Sequence, residues 1–297
     1  MSCYYMSYME IEVAGLFTYP IKGCGGIAHY EIEFGDNGML HDREWMLVDS
    51  DDKVITQRTH PAMARINTLI YGGMLLVSDP ATGICEIALE TENPRPDTER
   101  EISIYDKTGT AVAEDPEASE FFSDFFNEPV TLLHIKQQRR FKPQYQHAGA
   151  GTGTAFADGY PELITSISSL DALNAHGQTH IPMDRFRPNM VLAGELPAYD
   201  EDYYRVLQIG ALTAYIVKAS ARCTVTNVDQ APGILEPGSP VTRALAIDRR
   251  GRGPDSNKPG VYFGQNATHR LEPGVSVALG DTVEVLERAA ERNFQLI

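Results

Sequence analysis

Arg205-Val206-Leu207-Gln208-Ile209-Gly210-Ala211-Leu212-Thr213-Ala214-Tyr215-Ile216-Val217-Lys218 reads as two short strands, 205–209 and 212–218, on either side of a glycine. Segments of the same kind recur along the chain. Residues 190–192, 275–278 and 283–286 are short apolar runs, and Gly280-Asp281 turns the last two into a hairpin. Nearer the start, residues 11–17 form an apolar strand ended by Pro20 and the glycines Gly23, Gly25 and Gly26. Residues 45–48 and 54–56 flank Asp49-Ser50-Asp51-Asp52-Lys53, a hairpin signal, and 75–78 with 84–89 form a second pair. A third joins 102–105 to 110–113 through Asp106-Lys107-Thr108-Gly109. Many short strands with few helices predict a mixed, mainly β (α+β) architecture built from barrel-like units.

Helices are sparse. Asp115 caps one and Pro116 opens it, while Phe121, Phe122, Phe125 and Phe126 give it an apolar face that belongs in a core. Residues 130–135 then read as a strand crossing toward a second unit. The stretch 136–161 is polar and glycine-rich, with a basic island at Lys136, Arg139, Arg140 and Lys142. Its Gly149-Ala150-Gly151-Thr152-Gly153 lacks the preceding strand and following helix of a dinucleotide fingerprint, and reads as a loop. Ser168 or Ser169 caps a second short helix ended by Gly177. His176 and His180 are kept off a common face by Gly177 and Pro182, which argues against a metal pair.

The 297 residues suit two domains or one large β-rich unit. With 25 Lys and Arg against 41 Asp and Glu, the net charge of −16 disfavours nucleic acid and anionic membrane as partners. Such an exterior serves solubility, or else suits a small cationic substrate or a basic protein, and any anion site must be local. The four cysteines (Cys3, Cys24, Cys85, Cys223) include no C-x-x-C pair, which excludes zinc ribbons, iron–sulfur spacings and a disulfide framework. The compartment is therefore expected to be reducing. No apolar run approaches the ~20 residues of a membrane span, and residues 1–10 lack the basic start and apolar core of a signal peptide. A soluble cytoplasmic protein without a membrane partner is the expectation.

Chemistry concentrates in a few blocks. Cys223, in Arg222-Cys223-Thr224-Val225-Thr226-Asn227-Val228-Asp229, is either a small buried hydrophobe or a thiolate metal ligand favoured by the adjacent guanidinium. Lys22 sits beside Gly23 directly after a strand, either as an exposed loop lysine or as a point charge where backbone N–H groups approach an anion. Arg43, between Asp42 and Glu44, presents a fork to phosphate or makes a surface ion pair. Arg187, followed by Pro188, faces an anion or shapes a turn. The segment 260–266, ending at Asn266, offers amides suited to the edge of a heterocycle. No Ser-His-Asp elbow, Walker loop or carboxylate-rich metal cluster competes with these.

Tyr19-Pro20-Ile21-Lys22-Gly23-Cys24, Asp42-Arg43-Glu44-Trp45, Phe186-Arg187-Pro188-Asn189 and Arg222-Cys223-x-x-Thr226-x-Val228-Asp229 together resemble the signature blocks of MOSC-domain proteins. Among these, the chain is similar to the amidoxime-reducing components and the bacterial N-hydroxylated-base reductases. Phe263-Gly264-Gln265 and the closing Gly-Asp hairpin match in order, so the resemblance runs over roughly residues 10–288. It implies a MOSC N-terminal β-barrel-like domain over 9–133 packed on a MOSC β-barrel domain over 134–290, with molybdenum cofactor (molybdopterin) between them. Cys223 matches the family's molybdenum ligand. Lys22, Arg43 and Arg187 match positions that grip the pterin and its phosphate, and Gly23, Ser166, Ala221 and Arg222 match further cofactor contacts. Asn266 falls where the family often has tyrosine.

The implied reaction is a molybdenum-dependent, pyridoxal-phosphate-independent reduction of amidoximes, hydroxylamines or N-hydroxylated bases to amine and water. Asp229 either relays a proton or orients Arg222. The four clustered cysteines of a fused [2Fe–2S] domain are missing, so electrons are expected from a separate ferredoxin-, flavodoxin- or cytochrome b5-like protein. The alternative is a non-catalytic molybdenum-cofactor carrier, or a sulfur carrier that uses Cys223.

Overall fold

The computed structural model describes residues 10–90, 95–104, 107–137, 139–140, 153–176, 180–253, 259–270 and 274–297. β1 (Ile11–Thr18) comes first. The first half then supplies β2 (Trp45–Asp49), β3 (Asn67–Tyr71), β4 (Met74–Asp79), β5 (Gly83–Ala88), β6 (Arg100–Ile104) and β7 (Lys107–Ala113). Helix α1 (Pro116–Phe126) and β8 (Val130–Gln137) follow, and three short strands, Ile27–Ala28, Glu31–Gly35 and Gly38–Met39, lie between β1 and β2. The second half supplies β9 (Glu162–Ser166), α2 (Ile167–Ala175), β10 (Met190–Ala193), β11 (Tyr204–Ile209) and β12 (Leu212–Ala221). After these come α3 (Pro240–Asp248), β13 (Gly260–His269) and β14 (Thr282–Arg288).

The expected mainly β architecture is present, including a closed seven-stranded barrel in the order β9-β10-β1-β14-β11-β12-β13. Pairing of β13 back onto β9 closes the ring, and all neighbours are antiparallel except β9 and β10. The quoted stretch 205–218 supplies the β11–β12 hairpin, with Ile209 opposite Leu212. Val13, Leu16, Leu192, Leu207, Ile209 and Ile216 fill the barrel interior. β1, although first in the chain, is one of its staves, lying between β10 and β14.

The intervening residues build a four-stranded sheet, β2-β8-β7-β6, and a three-stranded one, β3-β4-β5. All four residues of Trp45-Met46-Leu47-Val48 are buried because both faces of β2 are covered. Trp45 and Leu47 face the core shared with Phe121 and Phe122 of α1, whereas Met46 and Val48 face a second core with Leu133 and Phe156. This is the period of two of a strand read out on two sides.

Several local expectations are corrected. β8 does not cross to a second unit; it lies between β2 and β7 in the first sheet. Residues 54–56 shrink to one bridge, Val48 to Val54. There the Asp49 carboxylate accepts from the N–H groups of Asp51 (2.8 Å) and Lys53 (2.9 Å), which tightens the turn beyond what a regular hairpin allows. The cap of α2 is Ser166, not Ser168 or Ser169: its Oγ accepts from the Ser169 N–H at 3.2 Å. Asp115 caps α1 as expected, accepting from the Glu117 N–H at 3.1 Å. His176 pairs with Asp248 at 3.0 Å rather than with His180. Gly149 to Thr152 and Lys142 lie outside the described residues.

A buried polar seam backs the barrel. Arg249 makes a two-pronged ion pair with Asp202 (2.7 and 2.9 Å), and Gln265 donates to the same carboxylate at 2.8 Å. Next to it, burial pushes the Glu201 carboxyl up to about 7, against the favourable hydroxyl bond from Ser169. The folded protein thus holds a proton that the unfolded chain, at its ordinary 4.5, has released. Stability consequently falls as pH rises from about 4.5 to about 7. Glu201→Gln removes that slope, and chemical denaturation at both ends of the window should show the variant gaining roughly 3 kcal/mol relative to the parent at the upper end. A second expectation concerns Gly264, at φ +76° inside β13, where an added Cβ would lie 2.9 Å from the Ile164 carbonyl oxygen and 2.7 Å from Thr165 Cγ2. Gly264→Ala should lower the unfolding free energy by about 2–4 kcal/mol in the same assay.

Candidate functional site

The loop that follows β1 lies against the first residues of β2. Lys22 N–H donates to the Trp45 carbonyl at 2.8 Å, Arg43 N–H to the Tyr19 carbonyl at 2.9 Å, and Tyr19 N–H to Asp42 Oδ1 at 2.8 Å. Against this seam come the turn 186–189, which precedes β10, and the end of β12, where the Arg222 N–H donates to the Val261 carbonyl at 2.8 Å. These segments enclose a cleft of about 180 Å³. Lys22, Gly23, Arg43 and Arg187 line it together with Ala221, Arg222, Cys223 and Asn266. Residues spread over more than 240 positions of sequence therefore meet at one place, as the family resemblance requires.

Two arginines share one ring. Arg43 and Arg187 both adopt left-handed backbone (φ 54° and 52°), which turns their side chains inward. Their guanidinium carbons lie 4.8 and 4.1 Å from the Tyr19 ring centroid, a cation–π arrangement. Arg43 is fixed by the adjacent Asp42 carboxylate and donates to Asn189 Oδ1 at 3.0 Å and the Arg187 carbonyl at 3.3 Å. Arg187 Nη1 donates to Gln230 Oε1 at 3.3 Å, but its buried Nη2 has no partner. Burial brings the Arg187 pKa down to about 10, helped by Arg43 and opposed by Tyr19, so it stays charged at neutral pH.

Arg222 repeats the pattern. It donates to Ser220 Oγ at 2.9 Å and to the Phe186 carbonyl at 2.7 Å, while its buried Nε is unpartnered and burial lowers its pKa. A buried N–H left unpaired costs about 1–3 kcal/mol, and more on a charged group. Such donors await an acceptor. Lys22 donates to the Phe156 carbonyl at 2.9 Å and pairs with Asp158. Burial raises the Asp158 carboxyl, but Lys22, its hydrogen bond, Arg58 and Arg43 outweigh that and leave it at about 2. The cleft is thus strongly cationic on a protein of net charge −16.

Cys223 is an exposed free thiol at the mouth. Its carbonyl accepts from the Thr226 N–H (3.3 Å) and hydroxyl (3.0 Å), which fixes the backbone that presents the sulfur. It is not a buried hydrophobe. Among the described residues no three His, Cys, Asp or Glu side chains gather around a common point. A metal held here would have to bring most of its ligands with it.

Two expected residues lie elsewhere. Ser166 is buried as the cap of α2 and donates to Glu201 Oε2 at 3.1 Å, away from the cleft lining. Asp229 does not orient Arg222; its carboxylate lies 3.5 Å from Arg185, which is itself held by Glu236 at 2.8 Å. Asp229 is also absent from the lining. Conversely, Gln57, Arg58 and Asp158 line the cleft without having been singled out in the sequence. Arg58 and Gln57 follow the truncated strand near Val54, and Asp158 lies in the polar glycine-rich stretch, so neither position carries a motif.

No helix among the described residues is long and apolar enough to cross a membrane. Comparison with known proteins agrees with the geometry. Residues 10–129 match the MOSC N-terminal beta barrel domain, and residues 152–284 match the MOSC domain. Mitochondrial amidoxime-reducing component 1 of Xenopus laevis is 26% identical over 91% of this chain and 81% of its own length. The Homo sapiens protein of the same name is 27% identical over 92% and 82%. The molybdenum cofactor sulfurase of Oryza sativa subsp. japonica is 26% identical over 82% of this chain, which spans only 31% of that longer protein. Two family matches in tandem and a basic cleft between the units they cover identify the chain as a MOSC-domain protein with a MOSC N-terminal β-barrel domain.

Proposed function

We propose that the protein is a molybdenum-cofactor-dependent reductase of N-hydroxylated compounds, supplied with electrons by a separate ferredoxin-, flavodoxin- or cytochrome b5-like protein. The observation that supports this most is the pairing of an exposed thiol, Cys223, with two guanidinium groups that each keep a buried, unpartnered N–H. This donor set fits the cofactor. Arg187 and Arg222 offer charge-assisted hydrogen bonds to its phosphate and pterin, Lys22 and Arg43 add positive charge, and Cys223 offers the single soft ligand a metal arriving with its own sulfurs still needs. Gly23, at φ +91°, packs so closely beside Lys22 that an added Cβ would lie 2.6 Å from Met63 Sδ and Cε.

When bound, the cofactor supplies a metal that exchanges two electrons, as conversion of an N–OH group to N–H and water demands. The chain's own part is positional and electrostatic. The left-handed arginines aim inward, Asn189 and Asp42 hold Arg43, and Cys223 stands where solvent and substrate reach it. The amidoxime-reducing relatives at 26–27% identity over most of both chains favour this chemistry. A second reading, a cofactor or sulfur carrier that bears a persulfide on Cys223, draws on the same exposed thiol and on the rice sulfurase relative.

Protein purified from a molybdenum-replete host should carry about one molybdenum per chain and release a pterin on denaturation. Absence of both rejects the reductase and the cofactor-carrier readings together. With a reduced viologen as donor, the holo-protein should convert benzamidoxime to benzamidine, and Cys223→Ala should abolish turnover; loaded protein inert toward N-hydroxylated compounds favours the carrier. Arg187→Met should weaken cofactor retention by about 10- to 100-fold, read as molybdenum content after gel filtration.

A further inference from the structure

One cation of the cleft stands apart from the four assigned to the cofactor. Arg58 lies on the Cys223 side, its Nη1 3.9 Å from the sulfur. The loop that carries it is tightly tied. The Thr56 carbonyl accepts from the N–H groups of Thr59 (3.0 Å) and His60 (2.8 Å), and the Arg58 N–H donates to Thr56 Oγ1 at 3.3 Å. Gln57, only 2% exposed, donates to the Gly23 carbonyl at 2.7 Å and to Gln230 Oε1 at 3.0 Å. Gln230 donates back to Gln57 Oε1, also at 3.0 Å, and accepts from Arg187. The base of Arg58 is thereby joined to both walls of the cleft, so little backbone freedom is lost when its guanidinium engages a ligand.

The charge around it is one-sided. Asp158 is the single carboxylate among the described lining residues; it is paired with Lys22 and also feels the charge of Arg58, against five cationic side chains in the same lining. The protein's overall −16 does not cancel this, because screening confines exposed charges to about 8 Å at physiological salt. A guanidinium carried on a tied loop beside the Cys223 end of a cleft suits a planar carboxylate, which it can grip with two parallel hydrogen bonds.

We propose that Arg58 makes the Cys223 end of the cleft a carboxylate-recognising subsite, so that the preferred N-hydroxylated substrates carry a carboxylate near the N–OH group. The substrate clause rests on the reductase reading; the anion preference of the subsite does not. Two measurements on the full-length chain keep them separate.

In cofactor-free protein, rate constants for alkylation of Cys223 by iodoacetate and by iodoacetamide are followed by mass spectrometry at one pH. Their ratio cancels the thiolate fraction common to both reagents. Arg58→Gln should lower the iodoacetate-to-iodoacetamide ratio on the order of tenfold, and Arg58→Lys should keep most of it. An unchanged ratio in Arg58→Gln overturns the subsite. In loaded protein, kcat/KM for 4-carboxybenzamidoxime relative to benzamidoxime should exceed one and fall on the order of tenfold in Arg58→Gln. Equal kcat/KM values in the parent overturn the substrate preference, and loss of molybdenum from Arg58→Gln overturns it by assigning Arg58 to the cofactor. If the parent reduces neither compound, the reductase reading fails and the alkylation ratio alone decides the subsite.

Discussion

Two like charges held over a single phenol ring set the terms for this molecule. Arg43 and Arg187 repel each other, and Arg43 weakens the hold of Arg187 on its proton, yet both are locked in place by left-handed backbone and by Asp42, Asn189 and Gln230. The Tyr19 ring face and the Asp42 carboxylate offset part of the repulsion. What remains is a pre-formed deficit of negative charge, deepened by the unpartnered N–H groups of Arg187 and Arg222. A structure arranged this way is complementary to an anion before the anion arrives.

The barrel explains how so concentrated a site is reached from so dispersed a sequence. Because β1 is a stave between β10 and β14, the residues that follow it leave the barrel rim already beside the turn 186–189 and the end of β12. The bonds from Lys22 and Arg43 to the Trp45 and Tyr19 backbone then bring β2, and with it the whole first sheet, against that rim. Fold and site are thus one construction, in which the first strand of the chain belongs to the barrel and the loop after it belongs to the cleft.

Much of this was legible in the residues. Short apolar runs separated by turn chemistry gave the β architecture, and the four motif blocks named eight residues that do line the cleft. The residues placed apart from the cleft have physical reasons for it. Ser166 lies at a strand end like a site residue, but its buried hydroxyl is engaged in the cap of α2 and with the Glu201 carboxyl, and it is not among the lining residues. Asp229 follows Arg222 closely in sequence, yet beyond the turn 224–227 its carboxylate faces Arg185. Arg58 and Gln57 were invisible because their roles depend on tertiary pairing with Cys223 and Gln230, more than 160 positions away. Strand alternation and motif spacing carry no information about such contacts.

The reciprocal Gln57–Gln230 bond has a consequence for how the two halves of the molecule respond to their contents. Carboxamides neither titrate nor carry net charge, so this clasp does not open or tighten when an anion enters or an electron arrives nearby. An ion pair in the same place would change strength with every such event. At this point the two units are fastened by neutral groups, beside the charged contacts that Lys22 makes to Asp158 and Arg43 makes to Asn189.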